Sequence, residues 1–286
     1  MRIAVINPNT TASMTRRITA AARAVAGRDT EIVGRQPGTG PEAIEGPFDG
    51  ALSVPGLLKE IVAAERDGAA AHIIACFDDT GLDAARAIAT KPVIGIGEAS
   101  FHAVSLVAHS FCVVTTLSRS APVIEDNIHR YGFSHRCRRV FATDIPVLEL
   151  ENPKSGAFER ISDFVRQGVA MGAEGISLGC AGMAEFALDL QRAHGVPVVD
   201  GVSAAVGLAE TLVRCRLTTS KSGVWAPPTR LHVLEKFPDR SRALPDYRPM
   251  LVWGVDTSSS SFTSLSIFSN RARLSSPIVV DTLQAR

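Results

Sequence analysis

The sequence predicts an α/β protein in which two similar units, each a parallel four-stranded sheet wrapped by helices, face one another across a cleft. Three observations carry that expectation. Apolar runs of four to seven residues alternate with longer amphipathic stretches, the rhythm of parallel strands joined by helices and covered on both faces. The two halves align: Cys180 follows Cys76 by 104 positions and Pro197 follows Pro92 by 105. Upstream, the apolar run 3–6 leading into Asn9-Thr10-Thr11 is echoed by 112–116 leading into Ser118. A near-constant offset through successive features describes one Rossmann-like lobe used twice, the copies related by a pseudo-twofold axis. Ligands of open α/β sheets bind beyond the carboxyl ends of the strands, so the active site is expected where the two sets of strand ends meet.

The elements follow in order. Strands are expected at 2–6, closed by Asn7-Pro8-Asn9; at 31–34; at 71–75, closed by Cys76; and at 93–97, closed by glycine. The second set falls at 110–115, 139–145, 175–178 (closed by Gly179-Cys180) and 196–199. The amphipathic stretches between them place helices at 11–26, 50–67, 82–89, 98–108, 119–131, 156–171, 183–193 and 201–215. The first lobe should take 1–97 and 207–226, with the helix at 201–215 packing back on it, and the second lobe 98–206. After Trp225 the character changes: Pro227-Pro228 breaks regularity and the remainder is rich in Ser, Arg and Pro. Residues 227–286 are therefore expected to form a loosely ordered tail.

Composition narrows the function classes. At 45% hydrophobic and 21% charged the chain is an ordinary globular protein. A net charge of +1 argues against nucleic acid or an anionic membrane as the principal partner, and 6% aromatic content argues against base-stacking platforms. Neither a signal peptide nor a long apolar span is present, so the expected compartment is cytoplasmic. Five cysteines without close pairs fit reduced thiols better than a disulfide framework.

Two of those thiols are the candidates for chemistry. Cys76 and Cys180 each end a buried strand just before a helix, where helix N-termini and unpaired backbone N–H groups favour a thiolate. Gly81 and Gly182 permit tight turns, which lets the amides of Phe77, Asp78, Ala181 and Gly182 point into the cleft. Such donors would stabilise the enolate formed when a carbon beside a carbonyl loses its proton. One sulfur could take that proton from one face while the other delivers a proton to the opposite face. Read from the residues alone, the same positions also fit two small core residues duplicated with their lobe.

Other motifs are weaker. Asn7-Pro8-Asn9-Thr10-Thr11 fits a strand end that caps the following helix as well as it fits ligand contact by Asn9. Asp78 and Asp79 lack histidines at ligand spacing, so helix charge is favoured over a metal site, and none is expected. Cys112, Cys137 and Cys215 have no matching partners and read as packing or surface residues. His72 and His102 read as structural, and the run at 135–139 as a solvated loop. Gly95-Ile96-Gly97 is too incomplete for a dinucleotide fingerprint, and no Walker motif occurs.

With Cys76-Phe77-Asp78-Asp79 and Gly179-Cys180-Ala181-Gly182-Met183 both in view, the chain resembles the hydantoin racemases of the aspartate/glutamate racemase superfamily. Ile6-Asn7-Pro8-Asn9-Thr10-Thr11 resembles the family's opening segment, Ala43-Ile44-Glu45-Gly46 its first substrate loop, and Val113-Val114-Thr115-Thr116 its second-lobe strand end. The resemblance covers roughly residues 1–228. It implies a cofactor-independent, homo-oligomeric racemase acting at C5 of 5-monosubstituted hydantoins, a small-molecule ring, with Cys76 and Cys180 as opposed bases. By position, Asn9, Ile44, Thr115 and Thr116 would line the ring or its substituent. Backbone amides around Phe77, Asp78, Ala181 and Gly182 would hold its carbonyls. Allantoin racemases and amino-acid racemases are the nearest rivals, and a two-lobed small-ligand binding protein is the alternative of a different class.

Overall fold

The computed structural model describes residues 1–229. Its first sheet is built from β1 (Arg2–Ile6), β2 (Glu31–Arg35), β3 (Ala71–Ile74) and β4 (Val93–Gly95), in the order β2-β1-β3-β4. Its second is built from β5 (Phe111–Thr115), β6 (Cys137–Ala142), β7 (Gly175–Gly179) and β8 (Val198–Asp200), in the order β6-β5-β7-β8. Every pairing is parallel, and the two orders are the same topology repeated. Strands β3, β5 and β7 are buried at every residue, as central strands covered on both faces must be. That is why they read as continuous apolar runs.

The connections are α1 (Ala12–Val25), α2 (Pro47–Arg66) and α3 (Leu82–Ile88) in the first half and α5 (Ala121–Arg130), α6 (Ala157–Ala170) and α7 (Ala187–His194) in the second. Helix α4 (Ile96–Val107) passes from one sheet to the other, and α8 (Gly201–Arg214) returns to pack on α1, α4 and β3. Phe101 of α4 is fully buried at the centre of an aromatic cluster, edge-on to Phe77 at 5.5 Å, stacked on Phe111 at 5.9 Å and tilted against Phe133 at 6.2 Å. A buried hydrogen bond of 2.6 Å between the Ser100 and Ser177 hydroxyls ties α4 to β7.

Departures from the expected boundaries have local causes. Helix α4 starts at Ile96 rather than 98, cutting β4 to three residues, because its first turn is capped from outside its own sequence. Helix α2 starts at Pro47, which suits a first helical position that needs no N–H donor. Strand β6 begins at Cys137 rather than 139: Arg138 and Arg139 are exposed, so no apolar period marks its start. The helices expected at 119–131 and 183–193 open with 3-10 turns at Ser118–Ser120 and Ala181–Phe186. Beyond α8 the chain crosses back to α3, where the Trp225 indole donates to Asp83 at 3.2 Å and lies under the Arg86 guanidinium. The tail expected at 227–286 lies, from residue 230 onward, outside the described residues. Among the described residues no helix is long and apolar enough to cross a membrane.

Candidate active site

The carboxyl ends of β1, β3, β5 and β7 converge on one cleft. From β1 come Asn7, Pro8 and Asn9. Asn7 Nδ2 donates to Asn9 Oδ1 at 2.7 Å and to Thr15 Oγ1 at 2.9 Å, and Asn9 Oδ1 also accepts from the Thr11 amide at 3.0 Å. The Asn9 carbonyl is thus used in the turn into α1, while its Nδ2 meets only the Met14 sulfur, a weak acceptor. The oxygen thus shapes the helix entry, and the amide nitrogen faces no stronger acceptor among the described residues. Ile44 closes one side from the loop before α2. That loop is fastened to the other half, where Glu45 accepts from the Val147 amide at 3.1 Å.

From β5 come Thr115 and Thr116. Thr115 Oγ1 donates to the Gly179 carbonyl at 2.8 Å, fixing the end of β7 one residue before Cys180. Cys76 and Cys180 both line the cleft, at matching points one or two residues past β3 and β7. Their turns match as well: the Asp79 amide donates to the Cys76 carbonyl at 3.0 Å and the Met183 amide to the Cys180 carbonyl at 3.1 Å. Phe77, Asp78 and Ala181 also line the space, although the Phe77 ring is committed to the aromatic core. Of the residues expected to act as bases or to hold the substrate, Gly182 alone stands off the lining, beside the Cys180 sulfur. Sequence reasoning missed Met14, Ser120 and Val147. Ser120 enters through a 3-10 turn and Val147 through the 3-10 segment Val147–Glu151, neither of which leaves a periodic trace.

Residues 3–209 match the family model described as Asp/Glu/Hydantoin racemase. A hydantoin racemase of Rhizobium meliloti is 46% identical over 80% of this chain and 95% of its own length, and one of Pseudomonas sp. (strain NS671) is 43% identical over 80% and 93%. The solved allantoin racemase from Klebsiella pneumoniae superposes with a TM-score of 0.79 at 45% identity, covering 80% of this chain and 94% of that one. The chain belongs to the Asp/Glu/Hydantoin racemase family. It is an isomerase, which sets aside the binding-protein alternative.

The thiols of this racemase are not lowered by helix N-termini in the way their sequence positions suggest. Cys76 is separated from α3 by a five-residue turn ending at Gly81, whose φ of 74° is left-handed, and Cys180 is followed by a 3-10 turn rather than an α-helix. Burial dominates instead. It pushes the Cys76 thiol well above its ordinary range, reinforced by the Asp78 carboxylate, with the Thr80 hydroxyl and the Asp78 amide pulling the other way. It pushes Cys180 up to about 11, with the Gly182 amide opposing and Asp78 again adding. The two opposing amides, of Asp78 and Gly182, stand at equivalent places in the repeat. Asp78 itself is raised to about 6 by burial, so it is anionic at neutral pH and within electrostatic reach of both sulfurs.

Asp79 does not charge the start of α3, as its position suggests. Its carboxylate reaches away from the cleft to the N-terminus of α4, accepting from the amides of Gly97 at 2.9 Å and Glu98 at 2.8 Å and from the Tyr131 hydroxyl at 2.9 Å.

Proposed function

We propose that this racemase interconverts the enantiomers of 5-monosubstituted hydantoins by moving a proton between C5 and two opposed sulfurs, Cys76 and Cys180. The observation that carries the reading is the placement of both thiols, at equivalent strand ends of a duplicated fold, on one cleft. One sulfur, as thiolate, takes the C5 proton; the electron pair of the C–H bond moves to the adjacent carbonyl oxygen as an enolate. The other sulfur, as thiol, gives its proton to the opposite face of C5 and is left as thiolate. Each turnover exchanges the two protonation states and inverts the carbon, so no redox partner or cofactor enters the balance. Because burial holds both resting thiols up, the amides beside them and the turn amides near the ligand carbonyl must favour the charged species as it forms.

The lining supports a neutral substrate. Among the described residues that line the cleft only Asp78 carries a formal charge at neutral pH, and none is an Arg, Lys or His that could pair with a carboxylate. An amino acid such as aspartate or glutamate would bring unpaired carboxylates against Asp78, which disfavours that rival. A hydantoin ring is uncharged and offers N–H donors. Allantoin is a second reading within the same chemistry, favoured by the likeness to the Klebsiella pneumoniae enzyme and by an anionic acceptor that a ureido N–H could meet. The same reading takes the enzyme as a cytoplasmic homo-oligomer, supported by its free cysteines and by the family resemblance.

The deciding experiment is a substrate panel followed by polarimetry without added cofactor: allantoin, 5-isobutylhydantoin, 5-benzylhydantoin and 5-carboxymethylhydantoin, with L-aspartate and L-glutamate. Turnover of the neutral hydantoins, with the anionic compounds slowest, is expected. Racemisation of the free amino acids in preference to the rings would overturn the proposal. Both Cys76→Ala and Cys180→Ala should abolish racemisation, and either one surviving would exclude the two-sulfur scheme.

A further inference from the structure

We infer that Asp79, Asn127 and Tyr131 form a brace, anchored outside the cleft, that sets where the Cys76 sulfur stands; this rests on the two-thiol reading above. The three residues come from both halves of the fold. Asp79 lies in the turn that follows Cys76, is 6% exposed, and closes that turn through its amide on the Cys76 carbonyl. Its carboxylate is held by α4 and by Tyr131 at the end of α5. Asn127, also on α5, donates from Nδ2 to the Asp78 carbonyl at 2.9 Å. Two consecutive residues of the Cys76 turn are thereby fastened to a helix that packs on the second sheet.

Helix capping alone does not account for this arrangement. In the second half the equivalent helix, α8, is capped by its own residue: Asp200 has φ −92° and ψ 143° and accepts from the Ser203 amide at 2.8 Å. The matching position of the first half is Gly95, whose φ of −83° and ψ of 140° describe the same backbone without a side chain. A carboxylate at Gly95 would cap α4 as Asp200 caps α8. The cap is delivered instead from the Cys76 turn, at the expense of a left-handed φ of 50° at Asp79. What the displaced cap adds is a tether on the turn. At the equivalent position of the Cys180 turn stands Met183, fully buried in the core, so among the described residues that turn has no carboxylate tether of this kind and is tied across only further on, by the ion pair of Glu185 with Arg17. The brace is one-sided, and so its loss should be one-sided too.

Net racemisation cannot report this, since both directions need both sulfurs. Hydrogen–deuterium exchange at C5 can, because each sulfur removes the proton of one enantiomer. The experiment follows exchange in heavy water by NMR for single enantiomers of allantoin and of 5-isobutylhydantoin. Cys76→Ala identifies the enantiomer that depends on Cys76, by loss of its exchange. Should that variant continue to racemise, the two-thiol reading falls, whatever the brace does.

Two further proteins then test the brace itself. One is Tyr131→Phe, which removes a single oxygen. The other is the double substitution Asp79→Gly with Gly95→Asp, which moves the cap back to the helix and releases the turn. Exchange of the Cys76-dependent enantiomer should slow by about tenfold in the first and about 10²-fold in the second, the other enantiomer changing by less than about threefold. The double variant should keep a near-native unfolding midpoint, since α4 remains capped. Equal slowing of both enantiomers, or none, would overturn the inference. If the double variant does not fold, Tyr131→Phe decides alone by the same asymmetry.

Discussion

The carboxylate of Asp79 fills the space in which a Cβ on Gly95 would stand: an added carbon would meet Oδ1 at 2.1 Å and Cγ at 2.4 Å. The obstacle is a carboxylate with three hydrogen bonds, so it cannot swing aside without breaking them. Gly95→Ala should therefore destabilise the enzyme by about 1–3 kcal/mol in urea unfolding. In an Asp79→Gly background the same substitution should cost far less, because the space is then open. Equal costs in the two backgrounds would show that the pair is not coupled.

A second expectation concerns pH. With Cys180 near 11 and Cys76 higher, the thiolate required by the proposed reaction is scarce at neutral pH. Because kcat/KM reports the ionisations of the free enzyme, it should rise about tenfold per pH unit from about pH 7 to about pH 10. Asp78 is charged through that range, and its field raises both thiols. Asp78→Asn should displace the rise to lower pH. A flat profile, or a shift in the opposite direction, would contradict the electrostatics described here.

What could be read in the sequence was whatever repeats or alternates. The strand ends carrying Cys76 and Cys180 were legible because buried parallel strands leave uninterrupted apolar runs, and because the same run occurs twice. Asn9, Ile44, Thr115 and Thr116 were legible by their resemblance to family segments, and the structure places all four on the cleft with the thiols. The thiol environment was not legible: burial depends on what packs over a residue, and the predicted helix N-termini turned out to be a loop and a 3-10 turn. Nor was the partner of Asp79. Its bond to Gly97 joins residues 18 apart and its bond to Tyr131 residues 52 apart, so no local pattern announces either. Val147 reaches the cleft through a bond to Glu45 across 102 residues, beyond any spacing argument.

The aromatic core gives a third expectation. Phe101 touches Phe77, and Phe77 directly follows Cys76, so packing of α4 bears on the turn that carries one thiol. Phe101→Ala would leave a void in a closely packed cluster and should lower stability by about 3–5 kcal/mol. The more conservative Phe101→Leu should cost less and still slow racemisation, since the Phe77 ring loses its edge-on partner. Unchanged stability in the alanine variant would mean that the cluster relaxes into the vacated space.

His72 supplies the last expectation. It lies on β3 at 0% exposure, four residues before Cys76, and neither ring nitrogen has a hydrogen-bond partner among the described residues. Burial lowers its pKa from 6.5 to about 4, with Glu65 opposing and Arg35 adding to the fall. Between those values the unfolded chain takes up a proton that the folded chain refuses, so stability present above about pH 6.5 is lost as pH falls toward 4. The loss amounts to roughly 3 kcal/mol over the full window. Asp78 and Asp79, whose pKa values are raised to about 6 and about 7, act in the opposite sense, since the folded chain holds their protons more tightly. Wild-type stability against pH therefore mixes both signs. Comparison with His72→Leu removes the mixture, because both proteins share the two carboxyls. The leucine variant, of similar volume and needing no partner, should gain on the wild type steadily as pH drops from about 6.5 to about 4. Parallel urea-unfolding curves across that interval would show that His72 takes its proton in the folded state as readily as in the unfolded one.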